Sequence, residues 1–354
     1  MKVSCFENKN DKEFYESEFN NKFYDFIKRN PDKGWDWSYI SMNPNITIDI
    51  IEKYADEYWN WGYISMNPNI TMEFIENNLN KPWDWYCLST NPNLTMDFIN
   101  KYIDKEWDWN NISMNCGITM NIIDENLDKP WKWTYISMNP NINIEFIMKH
   151  EDKEWRWNYI SMNPGITIDI IEEYSDKPWD WHYVSYNPNV TMKNIERNPD
   201  KPWDWICISS NSNISIDLIN NINEKFKPWI WSFMSQNPNI TIDMIEENID
   251  KDWNWTYISK NPNITMSMIK KYSERNWNWY EISQNSGITI DMIKDNPDKE
   301  WNWKMISKND MKQGKELWIK KKIKSSIIKR RISYKALCNI LDNDICELII
   351  NKIR

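Results

Sequence analysis

The side chains that could bind or react are unevenly supplied in this 354-residue chain, and the abundant ones are tryptophans. Twelve Trp-x-Trp pairs begin at Trp35, Trp59, Trp83, Trp107, Trp131, Trp155, Trp179, Trp203, Trp229, Trp253, Trp277 and Trp301. Their spacing is 24 residues throughout, apart from 26 between Trp203 and Trp229. Evenly spaced indoles can stack on bases, but that use needs cations beside them to neutralise phosphate. Here the cations lie elsewhere. Residues 311–354 hold 12 Lys/Arg against 4 Asp/Glu, which leaves −17 on the rest of a chain whose net charge is −9. The one cationic cluster, Lys320, Lys321, Lys322, Lys324, Lys329, Arg330 and Arg331, is the candidate anion-binding patch, and nucleic acid is expected only through it.

Groups for covalent or metal chemistry are sparse. His150 and His182 are the two histidines, at different positions of the repeat, and read as surface substitutions. Cys5, Cys87, Cys116, Cys207, Cys338 and Cys346 follow no disulfide or zinc-ligand spacing, and six glycines form no phosphate loop. No catalytic, cofactor-binding or metal-binding residue is therefore assigned, and the chain reads as non-enzymatic. The N-terminus has no apolar leader and no run of 18 apolar residues occurs, so the expectation is an intracellular protein with reduced thiols and no membrane contact.

A fixed 24-residue period means stacked units that each pack on their neighbours. A buried Trp removes roughly 150–250 Å² from water, about 4–6 kcal/mol of gross gain at ~25 cal/mol per Å². Two per unit make a core with few aliphatic residues beside them. In the unit from Trp83 to Glu106, Thr95 reads as an N-cap, with Met96, Phe98, Ile99 and Tyr102 forming an apolar stripe to about Ile103. A second helix is expected from about Trp83 to Thr90, opened by prolines such as Pro82 and Pro130 and closed by Asn91-Pro92, with one of the two helices partly 3₁₀. The Ser and Asn of Trp-x-Trp-x-x-Ile-Ser-x-Asn recur in every unit and read as hydrogen-bonding groups, with an Asn ladder between units as an elaboration. On a helical wheel the second Trp, the Ile and the Ser face the core. The first Trp lies beside variable positions, which makes Trp83, Trp107, Trp131, Trp155, Trp179 and Trp203 candidate partner-binding residues; core filler is their simpler use.

Three segments follow: a helical cap over 1–24, the array over 25–310 and a basic helical cap over 311–354. A capping helix is expected over 11–30. The basic end reads as two or three amphipathic helices, the last over about 333–353, covering the final apolar face of the array. The two-residue expansion near 223–226 is placed in a loop.

With Ile64-Ser65, Asn67-Pro68-Asn69, Thr71 and Ile75 as examples, the unit resembles the leucine-rich repeat variant. That resemblance implies a right-handed α-solenoid pairing an α-helix with a 3₁₀ helix in each of about twelve units. The Trp pairs and the Thr cap depart from that pattern, and no Cys cluster matches the iron–sulfur site of some members. The Trp-Asp-Trp and Asn-Pro-Asn-Ile-Thr wording also resembles repeat proteins of giant DNA viruses. The expected function is an all-α scaffold for protein–protein interaction, with an acidic surface that favours a basic partner. Alternatives are a structural or virion assembly component, and nucleic-acid contact through the basic end.

Overall fold

The computed structural model describes residues 9–214 and 229–338, so the expansion near 223–226, Cys5 and Cys346 lie outside it. Among the described residues the secondary structure is entirely α-helical. Among the described residues the repeating unit holds two short helices, one opening at the second Trp (the Trp helix) and one usually capped by Thr (the Thr helix). In the unit from Trp83 these are Trp85–Leu88 and Met96–Lys101.

The Trp helix starts two residues later than the sequence suggests, because the residue between the two tryptophans is its N-cap. Asp36, Asp84, Asp108, Asp180 and Asp204, with Asn60, Asn254, Asn278 and Asn302, all accept backbone N–H groups of the first turn. Lys132, Arg156 and Ile230 hold the same place without a side-chain bond. The prolines before the first Trp therefore lie outside the helix and shape the turn that enters it. The Thr helix behaves as expected at its start, where Thr95 Oγ1 accepts from Phe98 N–H at 3.3 Å. It ends at Lys101, where Tyr102 leaves the helical conformation and its carbonyl accepts the indole N–H of Trp107.

Two ladders join the units. Asn67 donates to the carbonyls of Ser41 (2.9 Å) and Asn43 (3.1 Å) in the preceding unit, while its own carbonyl oxygen holds the Asn69 N–H. Asn69 in turn donates to Pro44 O at 2.8 Å. Ser41 Oγ donates to Trp37 O and accepts from Asn60 N–H. The Ser and the first corner Asn, present in all twelve units, are buried and bonded, as buried polar groups must be. Between the ladders the second Trp of each pair meets the first Trp of the next edge-on, with centroids 4.9–5.5 Å apart and planes at 74–89°.

That series has no free end. Trp303 meets Trp35 at 5.0 Å. Asn43 donates to Ser307 O (2.9 Å) and Asn309 O (3.0 Å), Asp36 N–H donates to Ser307 Oγ (3.0 Å), and Asn45 donates to Asp310 O (2.9 Å). The first unit thus sits on the last as every other unit sits on its predecessor. The last unit is itself completed by the opposite terminus. Its Trp helix is Trp303–Lys308, and its missing Thr helix is supplied by the end of the N-terminal helix, Lys9–Arg29. Phe26 lies between Trp303 (6.3 Å) and Trp35 (5.9 Å), as Phe98 lies between Trp85 (6.0 Å) and Trp107 (6.1 Å). The array is a closed ring, and the unit at its seam is shared by the two ends of the chain.

Closure changes the role expected of the basic end. Its described part is one helix, Lys312–Cys338, running through the position where a separate last helix was expected to start. Met311, in the left-handed region at φ 52°, turns the chain out of the ring. The helix then lies along the N-terminal helix, with Trp318 edge-on to Phe19 at 5.6 Å and Lys322 paired to Glu18 at 2.8 Å. It clasps the seam and covers no apolar face of an open array, because the first unit already covers that face.

Candidate functional site

The six candidate tryptophans are built into the packing of the ring. Trp83, Trp131 and Trp203 are buried, and Trp107, Trp155 and Trp179 are partly buried. Each donates its indole N–H to the carbonyl five residues before it, at 2.7–2.9 Å, so the polar tip is used as well. The expected exposure is reversed: the second Trp is partly buried in every unit, the first fully buried in six. Since the first Trp precedes the helix, a wheel that includes it misplaces its side chain. The second Trp is covered in its turn by the cation of the next turn: Lys81 over Trp61 (5.1 Å), Lys105 over Trp85 (5.6 Å), Lys201 over Trp181 (5.2 Å) and, across the seam, Lys33 over Trp303 (5.1 Å).

What the ring does present is the outer face of the Trp helices. Tyr63, Tyr86, Tyr135, Tyr186 and Tyr280 are exposed there with Met138 and Ile206. They stand one, two or five residues after the second Trp, positions that vary from unit to unit. The close approaches between helices of neighbouring units are between Trp helices, and the Thr helices stand further apart, so this face is the concave one. A cleft on it gathers Met42, Met66, Gln284 and Lys308 from four units around the seam.

The cationic cluster is only partly assembled. Lys320, Lys321, Lys324 and Lys329 are exposed, whereas Lys322 is held by Glu18 and lies 4.7 Å over the Trp318 ring. The side chains of Arg330 and Arg331 lie outside the described residues. Lys315, at the seam, donates to Asn20 Oδ1 (2.7 Å) and Asn45 Oδ1 (3.1 Å), and burial lowers its ammonium below the ordinary lysine range.

The two histidines differ. His150 is buried at the end of a Thr helix, bonded through Nε2 to Asp124 Oδ1 at 2.7 Å, rather than being a surface substitution. His182 is exposed on the concave face, where Nδ1 lies 2.7 Å from Asp204 Oδ2 and 3.7 Å from Cys207 Sγ. Among the described residues these three form the one cluster of His, Cys and carboxylate groups with converging ligand atoms. Spacing rules do not reveal it, because His182 and Cys207 are 25 residues apart. Reading the sequence modulo 24 would have, since one period plus one residue places side chains on facing turns of adjacent Trp helices.

Comparison with protein families, curated proteins and solved structures finds no match for this chain. Among the described residues no helix is long and apolar enough to cross a membrane.

Proposed function

We propose that this chain is a non-enzymatic ring scaffold that binds a protein partner on the concave face of its Trp helices. The observation that carries the reading is the separation of roles within each unit. Trp, Ile, Ser and both corner Asn residues are consumed by the ring. On the exposed face of the Trp helices the positions left to vary are often Tyr or Met, residue types enriched at protein interfaces. An acidic array of about twelve units adds long-range attraction for a basic partner. The right-handed winding of the unit belongs to this proposal.

The test is affinity capture from the native source after nuclease treatment, run beside a variant with Tyr63, Tyr86, Tyr135 and Tyr186 all changed to Ser. A stoichiometric protein retained by the parent and lost by the variant supports the reading. Equal retention by both, or retention that nuclease abolishes, rejects it; the second outcome moves the function to nucleic acid and the exposed Lys320, Lys321 and Lys324.

A further inference from the structure

Two adjacent Trp helices, Trp181–Tyr186 and Trp205–Ser210, bring an imidazole, a carboxylate and a thiol together across their interface. His182 Nδ1, Asp204 Oδ2 and Cys207 Sγ all lie within 4.8 Å of one another. A tetrahedral ion with metal–nitrogen bonds of about 2.0–2.1 Å and a metal–sulfur bond of about 2.3 Å needs a nitrogen–sulfur edge of about 3.6 Å. The Nδ1···Sγ separation is 3.7 Å. The Nδ1···Oδ2 separation of 2.7 Å is that of a hydrogen bond, and would open by about 0.6 Å to meet the same geometry. The His182 side chain, half exposed at 52%, lies edge-on to Tyr183 and Tyr186 and has its solvent side open for that small move. The other two ligands are already fixed. Cys207 is fully buried, and Asp204 Oδ1 accepts the N–H groups of Ile206 and Cys207 as the helix cap, leaving Oδ2 for the ion.

From this convergence we propose that His182, Asp204 and Cys207 form a site for a zinc-class divalent transition metal, stapling two neighbouring units on the concave face. A thiolate, an imidazole and one carboxylate select zinc or cobalt over magnesium or calcium, which prefer all-oxygen shells. Three protein ligands leave the fourth position open towards the exposed side of His182. Binding releases protons: Cys207 loses its thiol proton to solvent, and any proton on Nδ1 is given up while the neutral ring carries its hydrogen on Nε2. Metal uptake is therefore favoured as pH rises.

The ring contains its own control. Cys87 and Asp84 repeat the Cys and Asp positions five units earlier, but Gly62 stands where His182 would be. A Cβ built on Gly62 would lie 3.7 Å from Asp84 Oδ2 and 3.3 Å from Asn60 Oδ1, so with a small shift of the Asn60 side chain Gly62→His supplies the missing imidazole beside the existing pair.

The experiment uses the full reduced chain, stripped of metal and titrated with cobalt(II) alone, followed by the thiolate-to-cobalt charge-transfer absorption. One equivalent is expected for the parent and two for Gly62→His. The parent band should be lost in His182→Asn and in Cys207→Ser. Asn occupies the His182 position in other units, at Asn110 and Asn158, so that variant keeps the ring, which circular dichroism verifies. Absence of the band in the parent overturns the assignment, as does its persistence in Cys207→Ser, which would trace it to another cysteine. A folded Gly62→His chain that takes up no second equivalent also counts against a three-ligand site of this design.

Discussion

Replacing Asn43 by Ala tests ring closure directly. Its amide donates to Ser307 O and Asn309 O, and its Oδ1 accepts from Asn45 N–H, three buried bonds at 2.9–3.0 Å. At about 1 kcal/mol per bond, and more wherever a buried partner is left unpaired, the loss is about 2–4 kcal/mol. Asn91, well inside the array, makes the same three bonds to Ser65 O, Asn67 O and Asn93 N–H, so Asn91→Ala is the matched comparison. In an open array Asn43 would face water, and its removal would cost no more than ~0.5 kcal/mol, as for an ordinary surface change. Repeat chains need not unfold in one step, so native-state hydrogen exchange is the assay of choice, read at Asp36 and Asn45 against Asp108 and Asn93. Equal protection at the two places and equal losses in the two variants are expected. An Asp36 amide that exchanges at fraying rates, or an Asn43→Ala cost below ~0.5 kcal/mol beside a full cost at Asn91, refutes the ring.

Three further outcomes follow from the unit. Lys132 holds an N-cap position without a cap bond, so Lys132→Asp should stabilise the chain by about 0.5–2 kcal/mol, read as a shift in the urea midpoint. Trp131, buried edge-on to Trp109 with its indole N–H bonded to Asn126 O, should cost about 3–5 kcal/mol when changed to Ala, with loss of near-ultraviolet circular dichroism. Asp124 is pushed up by burial, but hydrogen bonds from Lys149 and His150 outweigh this and hold its carboxyl below the ordinary range. Its contribution is therefore present above the unfolded carboxylate pKa and lost as pH falls through the lower folded value. Asp124→Asn should destabilise at neutral pH, and the gap from the parent should close in acid; a gap independent of pH would contradict this.

The period, the Thr cap and the burial of Ser and Asn were legible in the sequence because each rests on a local rule repeated a dozen times. Asn67, bonded across units, is one rung of the Asn ladder that its recurrence in every unit implies. The Trp helix was misread at its start. Asp84 and its counterparts are caps, yet Lys132, Arg156 and Ile230 at the same position make it look like drift on a surface. The same start placed the first Trp on the exposed arc, whereas it is fully buried in six units and the second Trp in none. Closure was half visible. The sequence shows that residues 25–34 are the second half of a unit in register with Trp35, and that the pattern fails after Asn309, but not that the two halves complete each other. Nothing local encodes that match, since it depends on the curvature summed over every unit. The His182, Asp204 and Cys207 cluster escaped for a related reason, because its members belong to different units and only stacking makes them neighbours.

The curvature has an identifiable physical source. Twelve Trp pairs sharing one full turn require each unit to wedge by about 30°. Across a helix layer about 10 Å thick, that wedge makes the spacing of neighbours on the outer side exceed the inner spacing by about 5 Å. The units have the means to approach closely at their corners. At the corner, units meet backbone to backbone through the Asn ladders, and where Gly117 replaces the second corner Asn, an added Cβ would lie only 2.5 Å from Pro92 O. Edge-on Trp pairs fill the gap between units at the opposite end of the Trp helix, and a Lys laid over the second ring closes it against water. Narrowing the Trp pair or widening the corner would therefore change the wedge angle. Errors of a few degrees in one direction accumulate around the circuit, and the seam cannot absorb them all. Near-invariance of Trp, Trp, Ser and Asn in every unit is thus a requirement of closure, beyond the stability of any single unit. An open array could tolerate drift in its end units; a ring that must meet itself at Trp35 and Trp303 cannot.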